Sequence, residues 1–331
     1  MKVTIKDIAK VANVSTATVS KVLNNKDQRI STETRELVLK IAKEKKYIRN
    51  SMARSLVTKK TNTIGLILPD ITNPFFPELA RGAEDKANEA GYMIMFANTD
   101  DNADKESRYL NMLAEKMVDG IILTQSAHKE GNSETLEALK LPIVLIDRDM
   151  ELKNIKGRVL VDNFNGAYDG VSYLIKKGHK KIAFITGPFS TTTSKDRLKG
   201  YEKALTDHNI SINRDLIFEG EYKGQWGVQA THMLLDQKAD VDAIFCGNDL
   251  IAINVIKTLK KKNIKVPEDI AIVGYDNIQF SEMIEPSLTT VNQPVYEMGY
   301  KAVELLIDIL EGKVYEKIIQ LETNLVIRES V

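Results

Sequence analysis

Thr4–Asn25 reads TIKDIAKVANVSTATVSKVLNN, and the spacing within it predicts two short helices joined by a tight turn. Thr4 followed three residues later by Asp7 makes a capping box, and Ile5, Ile8, Ala9 and Ala12 fall on one helical face. Asn13-Val14-Ser15 supplies the turn, with Ser15 or Thr16 placed to cap a second helix. In that helix Val19, Val22 and Leu23 pack on the first, while Thr16, Ala17, Thr18 and Lys21 face outward. A third segment, Thr32 to Lys45, is expected to turn Leu37, Val38, Ile41 and Ala42 inward and close a three-helix bundle. Small polar side chains on the exposed face of a helix after a tight turn suit base edges in a DNA major groove.

Charge separates a nucleic-acid binder from an ordinary helical bundle. The chain balances 46 Lys and Arg against 46 Asp and Glu. Residues 1–60, however, hold 11 Lys and 4 Arg against 2 Asp and 3 Glu, a net charge of +10, which leaves −10 on the other 271 residues. A polyphosphate attracts such a head and repels such a body. The DNA-contacting residues expected in the head are Thr4, Ser15, Thr16, Ala17, Thr18, Ser20, Lys21, Asn24 and Arg29.

Together with Tyr47 and the run Asn50-Ser-Met-Ala-Arg-Ser-Leu56, this amino-terminal sequence resembles the headpiece and hinge of the lactose/galactose repressor family of bacterial transcription regulators. The resemblance covers essentially the full length. It implies that the hinge segment becomes a short helix on DNA, pairs with its dimer mate and wedges Leu56 into the minor groove. Asn50 would then cap that helix, with Ala53 and Arg54 beside the wedge. The cost of unstacking a base step is offset by the contacts that a kinked duplex permits. Family hinges usually read Pro-Asn here, and Arg49 takes the proline's place; it either loosens the hinge off DNA or adds a phosphate contact. The polar stretch Val57 to Thr63 reads as a linker.

At 331 residues, 43% hydrophobic and 28% charged, the chain is long enough for more than one core and has the composition of a soluble protein. Its longest apolar runs, Ile64–Leu68 and Ile143–Ile146, are strand-sized, and Met1-Lys2-Val3 leads into no signal-peptide core. A lone Cys246 excludes an intrachain disulfide and fits a reducing cytoplasm, with a small buried hydrophobe as its plain role. No leucine heptad tail follows Arg328–Val331 to tie dimers together.

From Thr63 onward, strand-length apolar runs alternate with amphipathic stretches, the pattern of βα units around parallel sheets. One set of strands is expected at 64–68, 93–96, 120–123 and 142–146, and a second at 182–185, 216–218, 243–245 and 270–273. The fold class is therefore α/β: a three-helix headpiece (1–48), a hinge helix and linker (49–62), and two doubly wound lobes (63–331). The first lobe is expected over about 63–161 and 294–315, the second over about 162–293 and 316–331. The joints lie near 161–163 and 291–294, and a last helix around 295–310 returns to the first lobe.

Ligands of open parallel sheets bind beyond the carboxyl ends of the strands, which for two facing lobes means the cleft between them. At those ends stand Asn73, Phe75, Phe76, Asp147, Arg148, Asn248 and Asp276, with Arg197 at a helix start and Gln293 at a crossing. Carboxylates, guanidinium groups and amides saturate sugar hydroxyls, while Phe75, Phe76 and Trp226 are expected to cover C–H faces. Each has a plainer reading: a strand-end ion pair for Asp147-Arg148, a helix cap for Asn248-Asp249, core packing for Phe75-Phe76. By resemblance, the lobes have the periplasmic sugar-binding-protein fold and the cleft set is that of ribose-binding members, as is Ile71–Asp85 (ITNPFFPELARGAED).

Enzyme readings lack parts. Gly187–Lys195 (GPFSTTTSK) lacks the Gly-Lys-Ser/Thr ending of a phosphate loop and is expected to be a solvent-facing helix cap, and no Gly-x-Ser-x-Gly is present. His128, His179, His208 and His232 never take metal-ligand spacing, so neither metal nor cofactor is expected, nor catalysis. The expected mechanism is a homodimer on a pseudo-palindromic operator, released when a ribose-like sugar closes the cleft, with a coupling of about 1–3 kcal/mol. The alternatives are a purine or nucleoside corepressor, and a protein coregulator.

Overall fold

Caps and apolar periodicity account for the helices of the amino-terminal unit. The computed structural model describes residues 3–24, 27–47, 60–127, 133–150, 152, 155–238 and 240–331, in two compact units, residues 1–61 and 62–331. In the first unit α1 (Ile5–Ala12) carries the full capping box. The Thr4 amide donates to Asp7 Oδ2 at 2.8 Å and the Asp7 amide returns a bond to Thr4 Oγ1 at 3.4 Å. Asn13, in the left-handed region at φ 53°, ends the helix. Ser15 caps α2 (Thr16–Leu23) and Ser31 caps α3 (Thr32–Glu44). Ile8, Ala9, Ala12, Val19, Val22, Leu23, Val38, Ile41 and Ala42 form the core. Leu37 was expected inside and is 45% exposed. At about 100° per residue it sits one step round α3 from Val38, off the buried stripe.

The second unit is two α/β lobes. The first sheet runs β11-β5-β4-β3-β1-β2, with β1 Thr63–Leu68, β2 Met93–Asn98, β3 Gly120–Leu123, β4 Ile143–Ile146, β5 Ile155–Val161 and β11 Ile318–Leu321. Around it lie α4 (Phe75–Glu89), α5 (Ala103–Glu115), α6 (Ser133–Ala138) and α11 (Val295–Glu311). The second sheet runs β12-β10-β9-β8-β6-β7, with β6 Ile182–Thr186, β7 Ile217–Glu219, β8 Ala243–Cys246, β9 Ala271–Asp276, β10 Thr289–Asn292 and β12 Asn324–Val326. Its helices are α7 (Asn163–Lys176), α8 (Thr192–Asp207), α9 (Gly224–Asp236) and α10 (Asp249–Lys261). All pairings are parallel except β12 on β10. Central strands such as β3, β4, β6 and β8 are buried along their whole length, as sheets covered on both faces require.

Four strands escaped the sequence reading: β5, β10, β11 and β12. The expected strand at 216–218 also starts one residue late, because Arg214–Leu216 is a 3-10 turn. Residues 316–331, assigned above to the second lobe, are instead divided. β11 pairs with β5 in the first sheet, and β12 pairs with β10 in the second. The chain therefore crosses between the lobes three times, at Asp162, at Gln293-Pro294 and at Glu322-Thr323.

The first lobe is fastened by the crossing of α4 and α11, where backbones touch. A Cβ on Gly82 would lie 1.9 Å from the Tyr296 carbonyl oxygen, and one on Gly299 would lie 1.9 Å from that of Leu79. Glycine is required at both positions by this approach.

Candidate functional site

Eleven side chains converge where the carboxyl ends of the two sheets face each other. Asn73, Phe75, Phe76, Asp147 and Arg148 come from the first lobe, Thr193, Arg197, Tyr222, Asn248 and Asp276 from the second, and Gln293 from a crossing segment. Around them lies about 320 Å³ of space not filled by atoms, the open mouth and adjoining solvent included.

Local sequence explains how each is aimed. Phe75 and Phe76 open α4, meet edge to face with centroids 5.0 Å apart, and also belong to the first lobe's core. Core packing and cavity lining are thus the same residues. Asn73 Oδ1 accepts the Phe75 amide at 3.1 Å. Asn248 does cap α10, accepting the Ile251 amide at 2.9 Å, and its Nδ2 donates to the Tyr222 carbonyl at 3.3 Å. Asp147 and Asp276 terminate β4 and β9 at φ 68° and 110°, a left-handed backbone that costs about 1–3 kcal/mol per residue. That cost brings two carboxylates to the cavity.

Arg148 Nη1 donates to Asp101 Oδ1 and to the Gln125 carbonyl, both at 2.8 Å, and Nε lies 3.9 Å from Asp147 Oδ2. Arg197 Nε donates to Asn163 Oδ1 at 2.8 Å, Nη1 donates to the Gly247 carbonyl, and Nη2 lies 3.9 Å from Asp276 Oδ1. Gln293 Nε2 donates to Asp276 Oδ1 at 2.7 Å, while its buried Oε1 has no partner. Burial pushes the Asp147 and Asp276 carboxyls upward, and Arg148 and Arg197 oppose that rise. Burial opposes the Arg197 charge, but Tyr222, Tyr275, Asp276 and Asp147 more than restore it and hold its pKa above the ordinary value. Two carboxyls and two guanidinium groups thus share the wall, and their formal charges balance.

Two expectations about this region are corrected. Trp226 does not line the cavity: its Nε1 donates to the Thr186 carbonyl at 3.0 Å, and its ring covers Gly220. Tyr222 takes the place expected for it, with its hydroxyl 2.7 Å from Ser194 Oγ. Gly187–Lys195 does cap a helix, Thr191 accepting the Ser194 amide at 3.3 Å, but it faces inward, since Thr191, Thr193 and Ser194 are buried and Thr193 reaches the cavity. Tyr222 and Thr193 were missed because one follows an edge strand of three residues and the other hides in a polar run.

In the amino-terminal unit, Thr16, Ala17, Lys21, Asn24 and Arg29 are exposed. Thr18 and Ser20 are half-buried, bonded to Ser15 and Asn24 respectively. Thr4 and Ser15 are exposed caps, and Tyr47 packs on the bundle core. Arg49, Asn50, Ala53, Arg54 and Leu56 lie outside the described residues, as does His128. Among the described residues no helix is long and apolar enough to cross a membrane, and no His, Cys, Asp and Glu group could hold a metal. Cys246 is fully buried, which pushes its thiol well above the usual value.

Known proteins resemble the chain along its whole length. The regulator RegA of Clostridium acetobutylicum is 41% identical over 313 residues, covering 94% of this chain and 93% of its own. Catabolite control protein A of Priestia megaterium is 39% identical, covering 100% and 99%, and the ribose operon repressor of Halalkalibacterium halodurans is 39% identical, covering 99% and 96%. The lac repressor dimer bound to operator and an anti-inducer superposes with a TM-score of 0.89 at 26% identity, covering 100% of this chain and 99% of that one. A LacI-family regulator from Enterococcus faecium with bound ribose gives 0.71 at 30% identity, covering 81% and 98%. All are regulators and none is an enzyme. Residues 4–50 match the bacterial regulatory proteins of the lacI family, and residues 61–326 match the periplasmic binding proteins and sugar binding domain of that family. The chain is a DNA-binding transcriptional regulator of the LacI family.

Proposed function

We propose that this regulator represses a sugar-utilisation operon as a homodimer and leaves its operator when a pentose, ribose or a close relative, fills the interlobe cavity. The observation that carries this reading is the uncharged balance of a cavity whose wall is nonetheless ionic. Asp147 with Arg148 and Asp276 with Arg197 offer strong acceptors and donors that cancel in charge. A neutral molecule with many hydroxyls, each able to donate and accept, is what such a wall satisfies. A phosphorylated ligand would need excess positive charge. Gln293 Oε1, buried without a partner, awaits a donor. Phe75 and Phe76 are placed to cover an apolar ring face. Relatives of nearly equal identity carry different regulatory names, so overall likeness does not select the effector, and the reading rests on the chemistry of the cavity wall.

Two further supports concern the partners. The edge strand β2 exposes Met93, Met95 and Phe96, and Met112 and Met117 are exposed nearby in sequence, an apolar surface that a second subunit would cover. The head's net charge of +10 on a chain of zero total charge suits phosphate neutralisation. Asn50, Ala53, Arg54 and Leu56 are the residues we assign to the hinge and its minor-groove wedge; Leu56→Ala should abolish specific operator binding while sparing effector binding.

The test is calorimetric titration of the full-length protein with D-ribose, a hexose, a purine and a nucleoside, alongside operator binding with and without each. Tight binding of D-ribose together with loss of operator affinity is expected. Binding of a purine instead, or stronger operator binding with ribose, would overturn the assignment.

A further inference from the structure

The turn Asp276–Ser281 does two jobs. Asp276 lines the cavity, and two residues on, Ile278 is buried in the apolar cluster of the first lobe with Phe75, Phe76, Val295 and Met298. Leu250 and Ile253 of α10 pack against that same cluster. The turn opens with two consecutive residues in the left-handed region, Asp276 at φ 110° and Asn277 at φ 58°. Such backbone persists only where its surroundings hold it.

Asp249 does the holding. It is fully buried and lines no part of the cavity. Its Oδ2 accepts the Ile278 amide at 2.9 Å and the Ser281 hydroxyl at 2.6 Å, and its Oδ1 accepts the Thr290 hydroxyl on β10 at 2.6 Å. α10 has no need of this carboxylate, because Asn248 already caps it. Room has been left for it: a Cβ on Gly274 would lie 2.2 Å from Oδ1. On the other side of the turn, Asn277 accepts from Arg328 Nη2 at 2.8 Å and donates to Asn292 Oδ1 at 2.9 Å.

We propose that Asp249 is a positioning residue for the effector, clamping the Asp276–Ser281 turn so that Asp276 faces the ligand while Ile278 stays seated on the first lobe. The inference rests on the cleft being the effector pocket. One carboxylate thereby joins ligand contact to the packing between lobes. The charged and titratable groups facing it are Asp276, Arg328 and the Cys246 thiol. Burial pushes the Asp249 carboxyl up to about 6 against its three hydrogen bonds. After burial, the charge on Asp249 is one of the causes that raise Asp276, so removing that charge eases ionisation of the carboxylate that meets the sugar.

The experiment compares full-length wild type, Asp249→Ala and Asp249→Asn. D-ribose affinity is measured from pH 5 to 8, and amide exchange is followed over residues 274–288 without effector. Asp249→Ala should weaken ribose binding by about 100-fold at pH 7.5, the scale of an ångström-level misplacement. It should also speed exchange at Ile278–Ser281 at least tenfold while β6 exchanges as before. Asp249→Asn should move the acid limb of ribose affinity to lower pH, which a purely structural role would leave in place. Wild-type exchange rates at 278–281 in Asp249→Ala, or an unmoved acid limb in Asp249→Asn, overturns the proposal. A wild type that binds no pentose defeats the effector reading by itself, and the exchange comparison still decides the role of Asp249.

Discussion

Arg197 lies over the ring of Tyr275, its guanidinium carbon 3.7 Å from the ring centroid. Neither residue is free to move, because Tyr275 sits fully buried on β9 and Arg197 is tied to Asn163 and Gly247. A planar cation pressed on an aromatic face keeps its charge in a desolvated place. The edge of the guanidinium left over faces the cavity beside Asp276.

Arg197→Ala should therefore cost about 2–5 kcal/mol of effector affinity, a loss of 30-fold or more, since it leaves Asp276 buried without its counterion. Arg197→Lys should recover little, because a compact ammonium can neither stack on Tyr275 nor reach Asn163 and Gly247 together. Operator affinity without effector should stay within a few-fold of wild type. Calorimetry for the sugar and fluorescence anisotropy for the operator give both readings.

On the DNA side, Lys21 and Thr16 should respond differently. Lys21→Ala should weaken binding to all duplexes alike and reduce the slope of log affinity against log salt by about one, the signature of a lost phosphate contact. Thr16→Val should alter which operator variants bind best, at about 1–3 kcal/mol per affected base pair, with the salt slope unchanged. Anisotropy titrations from 50 to 300 mM salt on a panel of operator variants separate the two.

Gly82→Ala tests the contact of α4 with α11. The new methyl group has the Tyr296 carbonyl 1.9 Å away, so the helices must separate, at a cost of about 1–3 kcal/mol. Gly91 and Gly312 have open space around a Cβ but positive φ, so Ala there would test backbone strain instead. Urea unfolding midpoints of Gly82→Ala and wild type give the comparison, and an unchanged midpoint would show that the helices part freely.

Acid should change the standing of Asp249. Its pKa in the folded protein, about 6, is above the ordinary value of 3.8, so the folded protein favours the neutral acid. The stability this group contributes is full below the unfolded value and disappears as pH rises through about 6. Asp249→Asn carries no such charge. Its stability relative to wild type should therefore be most favourable at pH 7–8 and fall steadily between pH 6 and pH 4. Thermal unfolding of the two proteins across that range, without effector, checks the sign.

How much of this was legible in the sequence differs by element. Capping signals and helical spacing placed α1, α2 and α3 nearly to the residue because those signals are local. Uninterrupted apolar runs revealed strands buried on both faces, such as β1 and β6. The strands that stayed hidden are those with an exposed side or a short span. β5 alternates buried and open positions with Lys156, Gly157 and Arg158 among them, and the exposed edge strand β11 reads Ile-Ile-Gln-Leu. Eight of the eleven cavity-lining positions lie at strand ends, helix starts or crossings, where side-chain direction follows from topology; Asn73 lies in a turn ahead of α4, Arg197 in the second turn of α8 and Tyr222 in a loop. Nine of the eleven were foreseen; Trp226, four residues beyond Tyr222, was chosen in its place. One residue is the bulkier aromatic in composition, but only packing shows that it is turned away.

The last two strands in chain order, β11 and β12, finish different sheets, one on each lobe. On the ribosome, the two halves are therefore completed almost together, the first by β11 and the second by β12 only a few residues later. A nascent chain that has emerged as far as α11 possesses two open sheets, each lacking its final edge, and both close within the synthesis of residues 318–326. Premature termination anywhere upstream of that stretch would release a molecule with two unfinished halves rather than one sound lobe and one damaged one.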